Sequence, residues 1–106
     1  MQKMLKNLCA MAAMLAAASA NAGDAGEALA QKSGCLACHG IDKKVLGPSY
    51  KEVAAKYKGD KTAEAKLVQK VKAGGGGTWG NIPMPANSPQ VKDEDIKTIV
   101  KWVLTL

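Results

Sequence analysis

Apolar residues recur along this chain in four stretches whose spacing follows a helix. From Asp24 to Ser33, Ala25, Ala28 and Leu29 mark a narrow face of small residues. Asp24, with Glu27 three residues on, has the form of a capping box at the start of that helix. A second helix is expected to begin at Ser49, again with an acid three residues later at Glu52. Tyr50, Val53, Ala54 and Tyr57 then fall at i, i+3, i+4 and i+7, one helical stripe. A third lies between Thr62 and Ala73 with Leu67, Val68 and Val71 inward, and the run Gly74 to Gly77 ends it. The fourth runs from Asp93 to near the C-terminus. Asp93, Glu94 and Asp95 in its first turn suit the positive end of the helix dipole. Ile96, Ile99, Val100 and Val103 face one way, with Trp102 and Leu104 widening the stripe. No stretch alternates convincingly with period two, so the expected fold class is all-α with irregular connections.

Two of those connections stand out. Gly40 to Pro48 joins the first helix to the second, and Gly74 to Lys92 forms a long loop holding Pro83, Pro85 and Pro89. A loop of that length in a compact domain is functional or disordered as a rule. Three prolines restrict its backbone, which predicts an ordered loop that holds something in place.

The first residues follow a different pattern. Lys3 and Lys6 give a positive start, Leu8 to Ala18 is an apolar run, and Ala20-Asn21-Ala22 supplies a small-x-small cleavage pattern. The run spans eleven residues, too short for a bilayer crossing of roughly 20. Residues 1–22 therefore read as a cleaved secretory signal peptide, weighed against a retained anchor helix. Lipoprotein processing fits less well, because Cys9 stands at the start of the apolar run. The domain is expected over 23–106, and its localisation in the periplasm, soluble after export.

Removing Lys3 and Lys6 leaves thirteen lysines against nine acids, a net charge of +4, and the chain has no arginine. The charge is spread over single lysines, which argues against nucleic acid as a partner. It suits a positive face steered towards an acidic partner, the other reading being lysines that only maintain solubility. The 84 residues left after cleavage include no Phe, two Trp and two Tyr. Such a chain is short of core material, and domains of this size usually need a disulfide, metal or cofactor.

Cys35 and Cys38 are the cysteines that remain after cleavage, in a compartment that disfavours free thiols. Cys35-Leu36-Ala37-Cys38-His39 is the C-x-x-C-H attachment signature of a c-type haem. Cysteines at i and i+3 near a helix end fall on one side, so both sulfurs reach the vinyl groups of one porphyrin. His39, the single histidine of the chain, follows at once to offer its imidazole to the iron. A thioredoxin-like pair would need a βαβ setting, and structural zinc would need more Cys or His than the domain holds. Met84 is the one methionine outside the leader, between Pro83 and Pro85. An isolated Met is often core filler, yet a position between two prolines is a poor place for filler and a good one for a second axial ligand.

The chain from Gly23 to Leu106 resembles the small bacterial class I cytochromes c, the short monohaem type. The resemblance rests on the cysteine motif with Gly34, on Val45-Leu46-Gly47-Pro48-Ser49-Tyr50, on Thr78-Trp79-Gly80-Asn81-Ile82-Pro83-Met84-Pro85, and on Lys101-Trp102-Val103-Leu104. It implies a compact cytochrome c fold, with about four short helices wrapped around one covalently bound haem c. It further implies that Met84 is the distal ligand and that the Pro48 carbonyl accepts from Nδ1–H of His39. Trp79 would reach a haem propionate, Lys70 would add charge nearby, and Asn87 would hydrogen-bond near the Met84 sulfur. Read from the residues alone, Trp79 and Trp102 suit core, Lys70 a solvated helix face and Asn87 a turn. The sequence departs from several family members in lacking a large aromatic in the first helix, where Leu29-Ala30 stand.

The function implied is a periplasmic electron carrier and not an enzyme. It would pass one electron at a time between transient redox partners of the respiratory chain or denitrification. The donor would be of the quinol–cytochrome c reductase type, the acceptor a nitrite reductase or terminal oxidase. Lys43 and Lys44 would steer docking. The competing class is a haem enzyme or gas sensor with an open distal iron, against which the absence of a distal His or Arg counts. A docking subunit of a larger reductase is a third reading.

Overall fold

A computed structural model describes residues 22–106. The signal peptide expected over 1–22 lies, apart from Ala22, outside the described residues. Four helices, α1 (Ala22–Lys32), α2 (Tyr50–Lys56), α3 (Ala63–Ala73) and α4 (Asp93–Val103), are joined by loops, with a 3₁₀ turn at Cys35–Ala37. No strand forms among the described residues. The fold is all-α, as the spacing of apolar residues requires.

The caps explain most of the boundaries. Ser49 precedes α2 in an extended conformation and its hydroxyl accepts from the Glu52 backbone N–H at 3.1 Å. α1 starts at Ala22, two residues before the expected cap, so Asp24 falls within its first turn. α3 starts just after Thr62. The Thr62 side chain makes no cap bond to the helix. Asp60 instead accepts from the Thr62 backbone N–H at 2.8 Å and from its hydroxyl at 2.6 Å, an Asx turn that leads the chain into the helix. Those two donors hold the Asp60 carboxyl below its ordinary pKa. α3 ends at Gly74, whose φ of 72° is the conformation glycine tolerates best.

α4 is the seam of the molecule. Ile96, Ile99, Val100, Trp102 and Val103 are all buried, and Ile96 is fully so. Burying aliphatic side chains of this kind stabilises by roughly 1.5–3 kcal/mol each. Ile99, Trp102 and Val103 pack with Ala30 of α1 and with Tyr50 and Val53 of α2. Ile96 and Val100 pack with Val68 of α3, with Leu67, Val71 and Leu104 half-buried around them.

The face that α1 offers differs from the pattern of its apolar residues. Ala25 and Ala28 are exposed, while Gly26 and Ala30 are buried. α1 and α4 make the most extensive helix contact, and Gly26 sits within it. A Cβ added there would collide with Cβ of Trp102 and stand 3.1 Å from the Thr98 carbonyl. The first atoms of the Trp102 side chain and the Thr98 carbonyl come so close that α1 has no room for a side chain at this position. Ala30, where the sequence lacks a large aromatic, packs in the same buried cluster as Trp102.

Two predictions follow from these contacts. Gly26→Ala should destabilise the fold by about 1–3 kcal/mol, the usual cost of overpacking, seen as a lower denaturation midpoint at unchanged slope. Because folding lowers the Asp60 pKa, this carboxylate favours the folded state above the carboxylate range, and its contribution fades as pH falls through the folded value. Asp60→Asn should thus be less stable than wild type at neutral pH, with the gap closing in unfolding titrations carried into acid.

Candidate functional site

Gly34 takes φ 79° after α1 and turns the chain into the Cys35–Ala37 turn. Backbone N–H groups of Cys38 and His39 both donate to the Cys35 carbonyl, at 3.2 and 3.0 Å. This tight turn brings Cys35, Cys38 and His39 to one wall of a cleft of about 510 Å³. Cys35 and Cys38 are free thiols, each half-buried. Burial pushes the Cys35 thiol up.

The connection from Gly40 to Pro48 is ordered by its backbone. Gly47 N–H donates to the Cys38 carbonyl at 2.8 Å, and Tyr50 and Lys51 donate to the Gly40 and Ile41 carbonyls at 2.9 and 3.1 Å. The result sets Pro48, buried, beside His39, with 2.8 Å between its carbonyl oxygen and Nδ1. A carbonyl can only accept, so Nδ1 carries the proton and Nε2 of the neutral ring keeps a lone pair for a metal. Gly47 makes room for this arrangement. A Cβ there would stand 2.5 Å from Cε1 and 2.9 Å from Nδ1 of His39.

Met84 reaches the same cleft from the long loop. Its backbone N–H and carbonyl are both paired with Gly75, at 2.9 Å each, forming an isolated antiparallel bridge. The loop is held close at Gly74 as well, where a Cβ would meet the Met84 carbonyl oxygen at 2.5 Å and Ala86 N at 2.8 Å. The glycine run does more than end a helix: it lets two backbones lie against each other and fixes the methionine between them.

Lys70 and Trp79 also line the cleft, while Asn87 does not. Lys70 is half-buried with its ammonium against the glycine loop. Trp79 is 38% exposed, and Lys56 Nζ lies 5.2 Å from its ring centroid, a cation–π contact from the last turn of α2. Asn87 spends its side-chain amide on the Val71 and Pro85 carbonyls, at 3.3 Å each, and its backbone N–H also donates to Val71 at 3.1 Å. It ties the loop to α3.

Tyr50 belongs to the cleft although its sequence position reads only as a core stripe. Its ring stacks on the His39 imidazole with centroids 5.1 Å apart and planes at 15°. Burial raises the phenol well above the ordinary tyrosine range. Three further apolar residues, Val45, Leu46 and Ile82, line the cleft while remaining exposed at 53%, 55% and 64%.

The residues present fit a covalently held haem. An apolar cleft of this volume lies within the range of small-ligand sites. It carries two thiols three residues apart, an imidazole locked in the metal-binding tautomer and one thioether. Among the described residues no group of three or more His, Cys, Asp or Glu is placed to hold a metal ion.

Comparison with known proteins agrees with that geometry. The family model described as "Cytochrome c" matches residues 23–106. Over 78 residues the chain is 55% identical to cytochrome c-551 of Allochromatium vinosum, covering 74% of this chain and 82% of that one. Cytochrome c-551 of Pseudomonas aeruginosa is 52% identical over 79 residues, 74% of each chain. The crystal structure of cytochrome c552 from Nitrosomonas europaea superposes with a TM-score of 0.72 at 46% identity, covering 76% of this chain and 98% of that one.

Gly47→Ala tests how tightly the imidazole is seated. The methyl group should push the His39 ring away from Pro48 and cost about 1–3 kcal/mol of stability. Loss of the hydrogen-bonded Nδ1 proton signal in NMR, together with a lower unfolding midpoint, is the expected result.

Proposed function

The chain belongs to the cytochrome c family, small carriers of one covalently attached haem c, and from that premise we propose that it is a periplasmic electron carrier with His39 and Met84 as axial iron ligands. When bound, the haem supplies a single reversible electron at its iron. Cys35 and Cys38 hold the group through thioether links. Pro48 keeps the His39 tautomer fixed and its ring basic. Met84 contributes a soft sulfur, which favours ferrous iron and raises the potential. Trp79 and Lys70 would offer an indole N–H and an ammonium to the carboxylates of the group, and Asn87 holds the Met84 loop on α3. The observation that carries the reading is that one cleft gathers a preset imidazole and a methionine fixed by paired backbone bonds. His39 and Met84 held in this way would leave no position on the iron for a substrate, so the group would pass electrons without binding one.

Docking follows from the mouth of the cleft. Val45, Leu46 and Ile82 present apolar surface, with Lys43 and Lys44 exposed beside them. A small apolar contact rimmed by lysines suits weak, short-lived pairing with an acidic redox partner. A quinol–cytochrome c reductase-type donor and a nitrite reductase or terminal oxidase acceptor fit that description. Residues 1–22 would act as the leader for export, and among the described residues no helix is long and apolar enough to cross a membrane.

Optical spectra of the haem-loaded protein test this reading. The wild type should be low-spin with a weak far-red methionine–iron band and no response to carbon monoxide. Met84→Ala should lose that band, bind carbon monoxide and fall in potential. A variant that kept the wild-type potential and bound no added ligand would rule out Met84, and a wild-type protein that bound carbon monoxide would point to an open iron.

A further inference from the structure

The core stripe of α2 leaves one feature of the cleft without a use, the stacked ring of Tyr50. Tyr50 is the first residue of α2 and only 6% exposed. Its face lies parallel to the His39 imidazole, and Trp102 meets it edge-on, with centroids 5.5 Å apart and planes at 83°. Trp102 is itself held against Gly26 at the α1–α4 crossing. The Tyr50 backbone is anchored by the Gly40 carbonyl, one residue after the histidine. Neither the ring nor the chain that carries it is free to turn.

His39 needs such a restraint. Its hydrogen bond to Pro48 fixes one atom of the ring, but a hydrogen bond tolerates tens of degrees of tilt before it weakens steeply. Gly47 limits the ring at its edge. Among the described residues Tyr50 alone is stacked on its face, and a stacked neighbour narrows the tilt that the hydrogen bond allows. The plane of an axial imidazole governs which iron d orbital overlaps its π system, so ring orientation is an electronic setting as well as a steric one.

We propose that Tyr50 is a positioning residue that sets the plane of the His39 imidazole and couples it, through Trp102, to the packing of the terminal helices. The proposal rests on His39 being the iron ligand. It assigns Tyr50 a role through its ring and not through its hydroxyl.

The test compares haem-loaded wild type, Tyr50→Phe and Tyr50→Leu. Tyr50→Phe keeps the stack and should retain the wild-type ferric electron paramagnetic resonance g values and the wild-type potential. Tyr50→Leu should change or broaden the g anisotropy and move the ferric–ferrous equilibrium several-fold. A Tyr50→Leu protein that is less stable but has unchanged g values and potential would reduce Tyr50 to core filler and overturn the proposal. Should that variant fail to yield folded protein, NMR of the ferrous wild type decides. Cross-peaks between the Tyr50 and His39 ring protons support the proposal, and their absence refutes it. The same spectrum separates the two assignments. His39 ring protons without the strong shift of a haem ligand would refute both the ligand assignment and the proposal. Shifted protons without Tyr50 cross-peaks would leave the ligand standing and the proposal refuted.

Discussion

Helix α4 has to serve two purposes with one stripe, and the rest of the molecule is arranged around that constraint. Ile96, Ile99, Val100, Trp102 and Val103 bury against the other three helices, while Ile99, Val100 and Val103 also line the cleft. A chain this small has too little apolar volume to close a core around itself. Its hydrophobic surface is therefore shared between helix contacts and the pocket, and a covalently held prosthetic group covers the remainder. Stability and haem retention become properties of the same residues. A change on α4 that loosens the helix contacts loosens the floor of the site.

The walls of the site are made differently. Cys35 to Pro48 and Gly74 to Asn87 are irregular segments, and buried irregular backbone is tolerable only where its polar groups find partners. Here they do so in pairs across short distances. Cys38 accepts from Gly47, Gly40 from Tyr50, and Met84 exchanges both its backbone groups with Gly75. Each of these bonds places one of the side chains that face the cleft. Glycine recurs at 47, 74 and 75 because the backbone or an imidazole comes too close for a side chain, or because the turn needs a positive φ.

Local chemistry made much of this legible in the sequence. The α4 stripe and the Ser49–Glu52 cap depend on neighbours within one or two turns. The end of α3 at Gly74 is equally local. Motif spacing named the residues of one cleft wall for the same reason, since Cys35 to His39 form a single turn. What escaped depends on partners far along the chain. Gly26 and Ala30 are buried against Trp102, more than seventy residues away, and a search for apolar periodicity passes over glycine. Asp60, not Thr62, makes the turn into α3, a choice between two adjacent capping groups that pattern alone does not make. Asn87 binds the Val71 and Pro85 carbonyls, a partnership decided by where the loop lands on α3. Tyr50 fits its helical stripe, yet its contact with His39 arises from the path of the Gly40–Pro48 loop.

Charge adds little to the stability of this fold. The ion pairs Lys51–Asp42, Lys66–Asp60, Lys72–Asp93 and Lys101–Glu64 each leave at least one partner more than half exposed. Pairs of that kind contribute about 0–1 kcal/mol and are screened by salt. They neutralise acids that would otherwise lower the field, and Lys43, Lys44, Lys56 and Lys70 take part in none of these four pairs. Lys44 and Lys70 line the cleft, and Lys56 sits over Trp79 on its wall. Lys44, Lys56 and Lys70 thus form a positive rim at the cleft. Such a rim speeds encounter through long-range attraction without creating the desolvated pairs that slow release. For a protein that must meet one partner, leave it and meet another, fast encounter with weak holding is the arrangement that suits the task.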